Sequence, residues 1–394
     1  MVALLIIIYI SFISLGLPDS LLGSAWPIMQ NDLATPFSIA GYINMTVQAG
    51  TIISSLFSNR LISKFGTAKV TIVSVMMTAI ALFGYSFSPN VYFLFIAAIP
   101  MGLGAGSVDA ALNNFVALHF KSKHMSWLHC FWGIGATIGP AIMSITLMNQ
   151  GGWRTGYLTI GIIQSILVVA LFFTLPLWKR VKNKEESQEE KTSVISNRQA
   201  LKIPLVKLAL ISFIFFSATE ATTGLWSGTF LVMNKGLSAT EAARAVSFFY
   251  GAITVGRLIS GFASMKMKSH VIIRIGQIIC ILGAVSIILP LHTVFSIIGV
   301  ILIGLGTAPV FPSMLHETPY RFGTAASQAI MGLQMAFAYI GSTLCPPLFG
   351  SLATVIDINI FPYFILICVL IMFIASEILQ KKLCIKNRAN KVNT

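Results

Sequence analysis

Charge is what this chain has least of. Only 10% of its 394 residues are Asp, Glu, Lys or Arg, against about a quarter in an ordinary soluble domain. Acids are the scarcer sign, with 12 Asp and Glu against 26 Lys and Arg. The five cysteines (Cys130, Cys280, Cys345, Cys368, Cys384) show no C-x-x-C spacing, which excludes a disulfide framework and a zinc site and leaves them as small core residues. No nucleophile elbow and no phosphate loop are present. "GLGAG" (102–106) follows no strand, and glycines inside an apolar run serve close helix packing. An enzyme is therefore not expected, and neither a metal nor another cofactor. The amino terminus has no basic run before its apolar stretch and no small-x-small cleavage site, so it is read as a first span and not as a signal peptide.

What is abundant is apolar: 56% of the residues are hydrophobic. The runs long enough to cross about 30 Å of hydrocarbon fall at 2–31, 38–58, 68–87, 91–118, 126–148, 155–177, 204–233, 239–263, 271–290, 294–316, 324–352 and 358–380. These predict an all-α membrane protein of twelve transmembrane helices. The polar run "KRVKNKEESQEEKTSVISNRQALK" (179–202) separates the sixth from the seventh. The expected organisation is an N-terminal six-helix half (1–178), a cytoplasmic linker (179–203), a C-terminal half (204–380) and a cytoplasmic tail (381–394). With both termini inside, all but three of the 26 basic residues (Arg154, Lys235 and Arg244) fall on the cytoplasmic side. That asymmetry follows the positive-inside rule and places the chain in the cell membrane. It also excludes nucleic acid as a partner, because the charge is spread over many short loops with no single basic patch.

The halves repeat. "MGLGAGSVDAALNN" aligns with "IGLGTAPVFPSMLHE", placing Gly102 and Gly304 202 residues apart. Pro140 and Pro346 are 206 apart, and Asp19–Gly23 mirrors Glu220–Gly224 at 201. Two six-helix repeats around a midplane cavity form a transporter architecture.

Polar and small residues mark helix faces that meet protein or water rather than lipid. Asp109 shares a stripe with Gly102, Gly106 and Asn113. Others are Asp19 with Trp26; Asn44, Gln48 and Thr51; His129, Trp132 and Ala136; Glu220, Thr223 and Ser227; and Gln334, Ala338 and Ser342. An ionised Asp at a helix centre costs about 2.5–3.5 kcal/mol. No Lys or Arg falls mid-span, Arg154, Arg244 and Arg257 being read as near the ends. Asp19, Asp109 and Glu220 are therefore expected to face one cavity and to load and release protons as access alternates. Asn113, Asn44, Gln48, His129, Trp132, Trp26, Gln334 and Trp226 are the candidate solute contacts, since amides bind hydroxyls in pairs and aromatic rings stack on sugar C–H faces. Packing roles stand beside these readings: an intramembrane acid can fix a helix neighbour, Pro18 can break the helix at "GLPDS", and tryptophans anchor at interfaces.

On these residues the chain resembles the major facilitator superfamily, and within it the fucose permease-like branch. "SNRLISKFGTAKV" (58–70) is similar to the family's cytoplasmic loop motif with Ser63 in place of its acid, and "VGRLISGFASMKMKSHVII" (255–273) is similar to its counterpart. "GIGATIGP" (133–140) resembles the fifth-span pattern and "DAALNNFV" (109–116) the branch's fourth-span segment. The branch's first-span acid falls at Gly23, one turn after Asp19. The resemblance implies alternating access and, by analogy, Asp109 as a substrate-linked protonation site in proton-coupled symport of a monosaccharide or similar small polar solute. Sodium is the other coupling ion found among such relatives. The partners expected are thus the solute, the ion and the lipid bilayer, with the chain acting as a monomer. Two rival readings remain: a proton-driven exporter of drugs or lipophilic compounds on the same fold, and a non-transporting sensor.

Overall fold

The structure is a computed structural model and describes residues 2–120, 122–179 and 197–392. The described residues are almost all helical. In lipid every backbone N–H and C=O needs an internal partner, which a helix supplies along its whole length. The order is α1 (Val2–Asp19), α2 (Leu21–Asp32), α3 (Ile39–Phe65), α4 (Thr67–Ser86), α5 (Val91–His119), α6 (Ser122–Met148), α7 (Gly152–Lys179), the short α8 (Asn197–Ala200), α9 (Val206–Met233), α10 (Ala239–Ala263), α11 (Ser269–Ile288), α12 (Thr293–Thr307), α13 (Val310–Phe322), α14 (Thr324–Val355) and α15 (Phe361–Val392). Among the described residues, 11 helical segments are long and apolar enough to span a membrane. The remaining long helix, α3, has 27 residues but is diluted by Asn44, Gln48, Thr51, Ser54, Ser55 and Ser58. With α3 counted as a span, the twelve expected segments are all present, and the chain is a multi-pass membrane protein.

Two spans are broken. The first (Ala3–Asp32) is interrupted at Ser20, two residues after Pro18, so that α1 ends on Asp19. The tenth (Thr293–Phe322) divides around Ala308 and Pro309 into α12 and α13. Elsewhere the sequence caps its own helices. Asn90 accepts from the amides of Tyr92 and Phe93 at 3.1 and 3.3 Å. Ser238 and Glu241 form a reciprocal capping box, with Ser238 N–H donating to the Glu241 carboxylate at 2.9 Å and Glu241 N–H to the Ser238 hydroxyl at 3.2 Å. Most of the expected linker lies outside the described residues. The expected tail is helical as far as Val392, since α15 continues through it.

The chain forms two compact units that cut across the repeats. The first comprises Met1–Gln188, Gly224–Thr254 and Pro346–Asn359; the second comprises Glu189–Thr223, Val255–Cys345 and Ile360–Thr394. In the first unit a buried amide braces three spans: Gln164 donates to Ser14 O at 2.7 Å and accepts from the Thr78 hydroxyl at 2.9 Å. The second unit has a similar brace, where the Ser376 hydroxyl donates to Gln277 at 2.9 Å.

The first unit also joins the N-terminal spans to the ends of α9, α10 and α14 nearest Asn234. Trp226 donates to Pro346 O at 2.9 Å, Ser247 to Thr137 O at 2.8 Å and Ser144 to Thr240 O at 2.9 Å. The closest approach is between glycines. A Cβ on Gly23 would lie 2.2 Å from Gly224 O, and one on Gly228 would lie 2.7 Å from Gly23 O.

Candidate functional site

The fourth-span stripe has two jobs. Its glycines are packing surface: a Cβ on Gly102 would lie 2.1 Å from Val47 O, and one on Gly106 would lie 2.2 Å from Thr51 O. The hydroxyls of Thr51 and Ser55 donate back to Gly102 O and Gly106 O at 3.3 and 3.2 Å. This tight seam with α3 holds the next part of α5 in place. There Asn113 donates to the Asp109 carboxylate at 2.9 Å, across one helical turn. Both residues are half-buried. The Asn113 side-chain oxygen is buried with no hydrogen-bond partner, leaving an acceptor free beside the acid.

Asp19 sits at the break in the first span and is exposed. Its carboxylate accepts from the Trp132 indole at 2.8 Å, which ties α1 to α6, and it lies near enough to Asp109 for the two charges to interact. An exposed acid midway along a span, held by a polar bond and facing a second acid, marks a face turned to water and not to lipid. Among the described residues neither Asp19 nor Asp109 forms an ion pair. His129 is exposed on the same helix as Trp132 and meets the Phe12 ring edge-on at 6.1 Å between centroids. Asn44 and Gln48 are half-buried on α3. The first unit thus carries both acids together with Asn113, Trp132, His129, Asn44 and Gln48.

Four expectations need correction. Glu220 is not without a cation. Arg257 approaches it at 3.7 Å, and their side chains are only 19% and 16% exposed. Arg257 lies inside α10 and not at a loop. Trp26 is fully buried and donates to Phe37 O at 2.7 Å. Trp226 is equally buried, bonded to Pro346 O and set edge-on against Phe37. Gln334 is 1% exposed and accepts from the Thr318 hydroxyl at 2.9 Å. The two indole N–H groups and the Gln334 amide oxygen are thus engaged with protein.

The sequence reading missed Arg257 as a site residue and missed Tyr250, whose ring meets Trp132 at 6.4 Å. The signal for Arg257 was its place in "GRLISGFA", inside an apolar run that continues beyond it. Tyr250 had no signal, because nothing in the sequence links the eighth span to the fifth.

Comparison with known proteins agrees with this architecture. A glucose/galactose transporter of Brucella abortus is 24% identical over 352 residues, covering 85% of this chain and 84% of that protein. The glucose/mannose transporter GlcP of Bacillus subtilis is 24% identical over 327 residues, covering 78% and 77%. The crystal structure of a mutant of the nucleoside transporter NupG superposes with a TM-score of 0.77 at 15% identity, covering 95% of this chain and 98% of that one. The family model described as Major Facilitator Superfamily matches residues 8–346, and the chain belongs to that superfamily of transporters.

Proposed function

We propose that this transporter is a proton-coupled symporter for a monosaccharide or similar small polar solute, of the fucose permease-like kind, with both termini in the cytoplasm. The observation that carries the reading is the Asp109–Asn113 pair: an acid with no cationic partner among the described residues, bonded to an amide whose oxygen is a buried, unused acceptor. A sugar hydroxyl can donate to that oxygen. Such a bond connects the solute to the acid through one side chain, so protonation of Asp109 and solute binding are linked equilibria. Trp132, with its indole N–H on Asp19, offers a ring face for a pyranose, and Asn44, Gln48 and His129 supply further polar contacts. The names of the Brucella and Bacillus relatives support the solute class.

Alternating access supplies the rest of the cycle. The first unit, in which the N-terminal spans pack against the Asn234 ends of α9, α10 and α14, is the outer gate in its closed arrangement, with the Gly23–Gly224 contact as its tightest point. The test uses purified protein in proteoliposomes. A panel of labelled hexoses, pentoses and other small polar solutes is offered with and without an inward proton gradient. The expected result is solute-stimulated proton influx and gradient-driven accumulation, both lost in Asp109→Asn. Solute movement indifferent to the gradient would overturn the coupling, and outward movement of cationic dyes would favour the exporter.

A further inference from the structure

At one end of the second unit, a cavity of about 420 Å³ lies where the start of α11, the last two turns of α13 and the later half of α15 come together. Its lining includes Lys268, His270, His316, Glu317 and Arg321, so two permanent cations and two imidazoles face a single carboxylate. Glu317 is already engaged, by Arg321 one turn away and by His270 at 3.9 Å. Lys268 is exposed and has no acid partner among the described residues. The Arg321 side chain is only 8% exposed, and its Nε is buried without a hydrogen-bond partner. A guanidinium held out of water with an unused donor is poised for an oxygen anion. Lys268 is the N-cap of α11, so the amides of Ser269 and His270 precede the helical ladder, and such helix starts favour negative charge. Neighbouring Lys266, Lys381 and Lys382 make this the basic end of the unit.

We propose that this cavity binds a phosphate group, held by Lys268, Arg321 and the start of α11. A phosphate supplies several acceptor oxygens and at least one full negative charge, which suits two cations, a hydroxyl and helix-terminal amides better than a neutral sugar does. The solute site on the first unit is separate from it in sequence and in chemistry. Two sources offer the same group at the face assigned to the cytoplasm: the headgroup of an anionic phospholipid, for which basic pockets on that side of a membrane protein are suited, and a free phosphate. Calling this end cytoplasmic rests on the topology reading above; the phosphate chemistry does not.

The experiment works on the full chain in neutral detergent, where sidedness plays no part. Native mass spectrometry and thermal unfolding are run with dioleoyl phosphatidylglycerol, with dioleoyl phosphatidylcholine and with inorganic phosphate. Lys268→Gln is expected to weaken phosphatidylglycerol binding about tenfold, while Lys382→Gln, a cation at the same end outside the cavity lining, leaves it within twofold. Arg321→Lys keeps the charge, loses the fork and should weaken binding too. Retention of phosphatidylglycerol alone assigns the lipid source; stabilisation by inorganic phosphate as well assigns the free anion. No preference for either probe over phosphatidylcholine, or equal weakening by Lys268→Gln and Lys382→Gln, overturns the proposal. A reporter fused to the carboxyl terminus tests the topology independently.

Discussion

Gly23 and Gly224 meet backbone to backbone. A Cβ on Gly23 would fall 2.2 Å from the carbonyl oxygen of Gly224 and 2.9 Å from Leu225 Cα, so no side chain fits without separating α2 from α9. The two glycines are also equivalent positions of the sequence repeat, as expected where a pseudo-twofold axis brings matching helices together. Gly23→Ala is expected to lower uptake about tenfold at normal expression, because the gate can no longer close at its tightest point. Gly261→Ala is the control, since a Cβ there meets nothing within 4 Å. Wild-type uptake by the Gly23 variant would remove this contact from the transport cycle.

Asp109 and Asn113 give a second prediction. Asp109→Asn keeps the shape of the pair and removes the exchangeable proton. Downhill exchange of the solute should persist, while accumulation driven by a proton gradient falls to the equilibrium level and the initial rate no longer varies with pH. Asn113→Ala should instead raise KM about tenfold, roughly the worth of one hydrogen bond near a charged group, and retain the response to pH. Both are read by labelled-solute uptake at several pH values in proteoliposomes.

The fold was legible because its signals are long and additive. Each of the twelve apolar runs extends over many residues, and an error at one position does not disturb the rest. The site was legible only where its partners are neighbours in sequence. Asp109 and Asn113 are one turn apart, so helical periodicity alone pairs them. Gly102 and Gly106 read as the same polar stripe, yet they pack against α3, because small residues mark both close packing and open cavities. Trp26, Trp226 and Gln334 look like a binding site in one dimension; their partners Phe37 O, Pro346 O and Thr318 are set by tertiary packing, as is the approach of Arg257 to Glu220.

That approach makes a third prediction. With both side chains mostly buried and 3.7 Å between charges, removal of Arg257 strands the Glu220 carboxylate in a poorly hydrated place. Arg257→Leu should therefore destabilise the protein by about 3 kcal/mol, and Glu220→Gln should be at least as costly, because it leaves the permanent charge of Arg257 beside a neutral amide. The double variant Glu220→Gln with Arg257→Leu should regain most of the loss. Thermal unfolding of the purified variants in one detergent gives the cycle directly. Additive losses would mean that the two side chains do not depend on one another.

The two buried amide braces differ in a way that unfolding can read. Gln164 satisfies two groups on two other spans, Ser14 O and the Thr78 hydroxyl. Among the described residues Gln277 accepts only from Ser376, whose hydroxyl also reaches Met372 O at 2.9 Å, and the Gln277 amide nitrogen is buried without a partner. Interhelical hydrogen bonds in membranes average about 0.6 kcal/mol each, so Gln164→Leu should cost about 1 kcal/mol and lower the melting temperature by a few degrees. Gln277→Leu removes one bond but also removes an unsatisfied buried donor, which by itself disfavours the folded state. The second substitution is therefore expected to be neutral or slightly stabilising. The same amide-to-leucine change would then have opposite consequences in the two repeats, and equal losses in both variants would show that the Gln277 nitrogen finds a partner in solution.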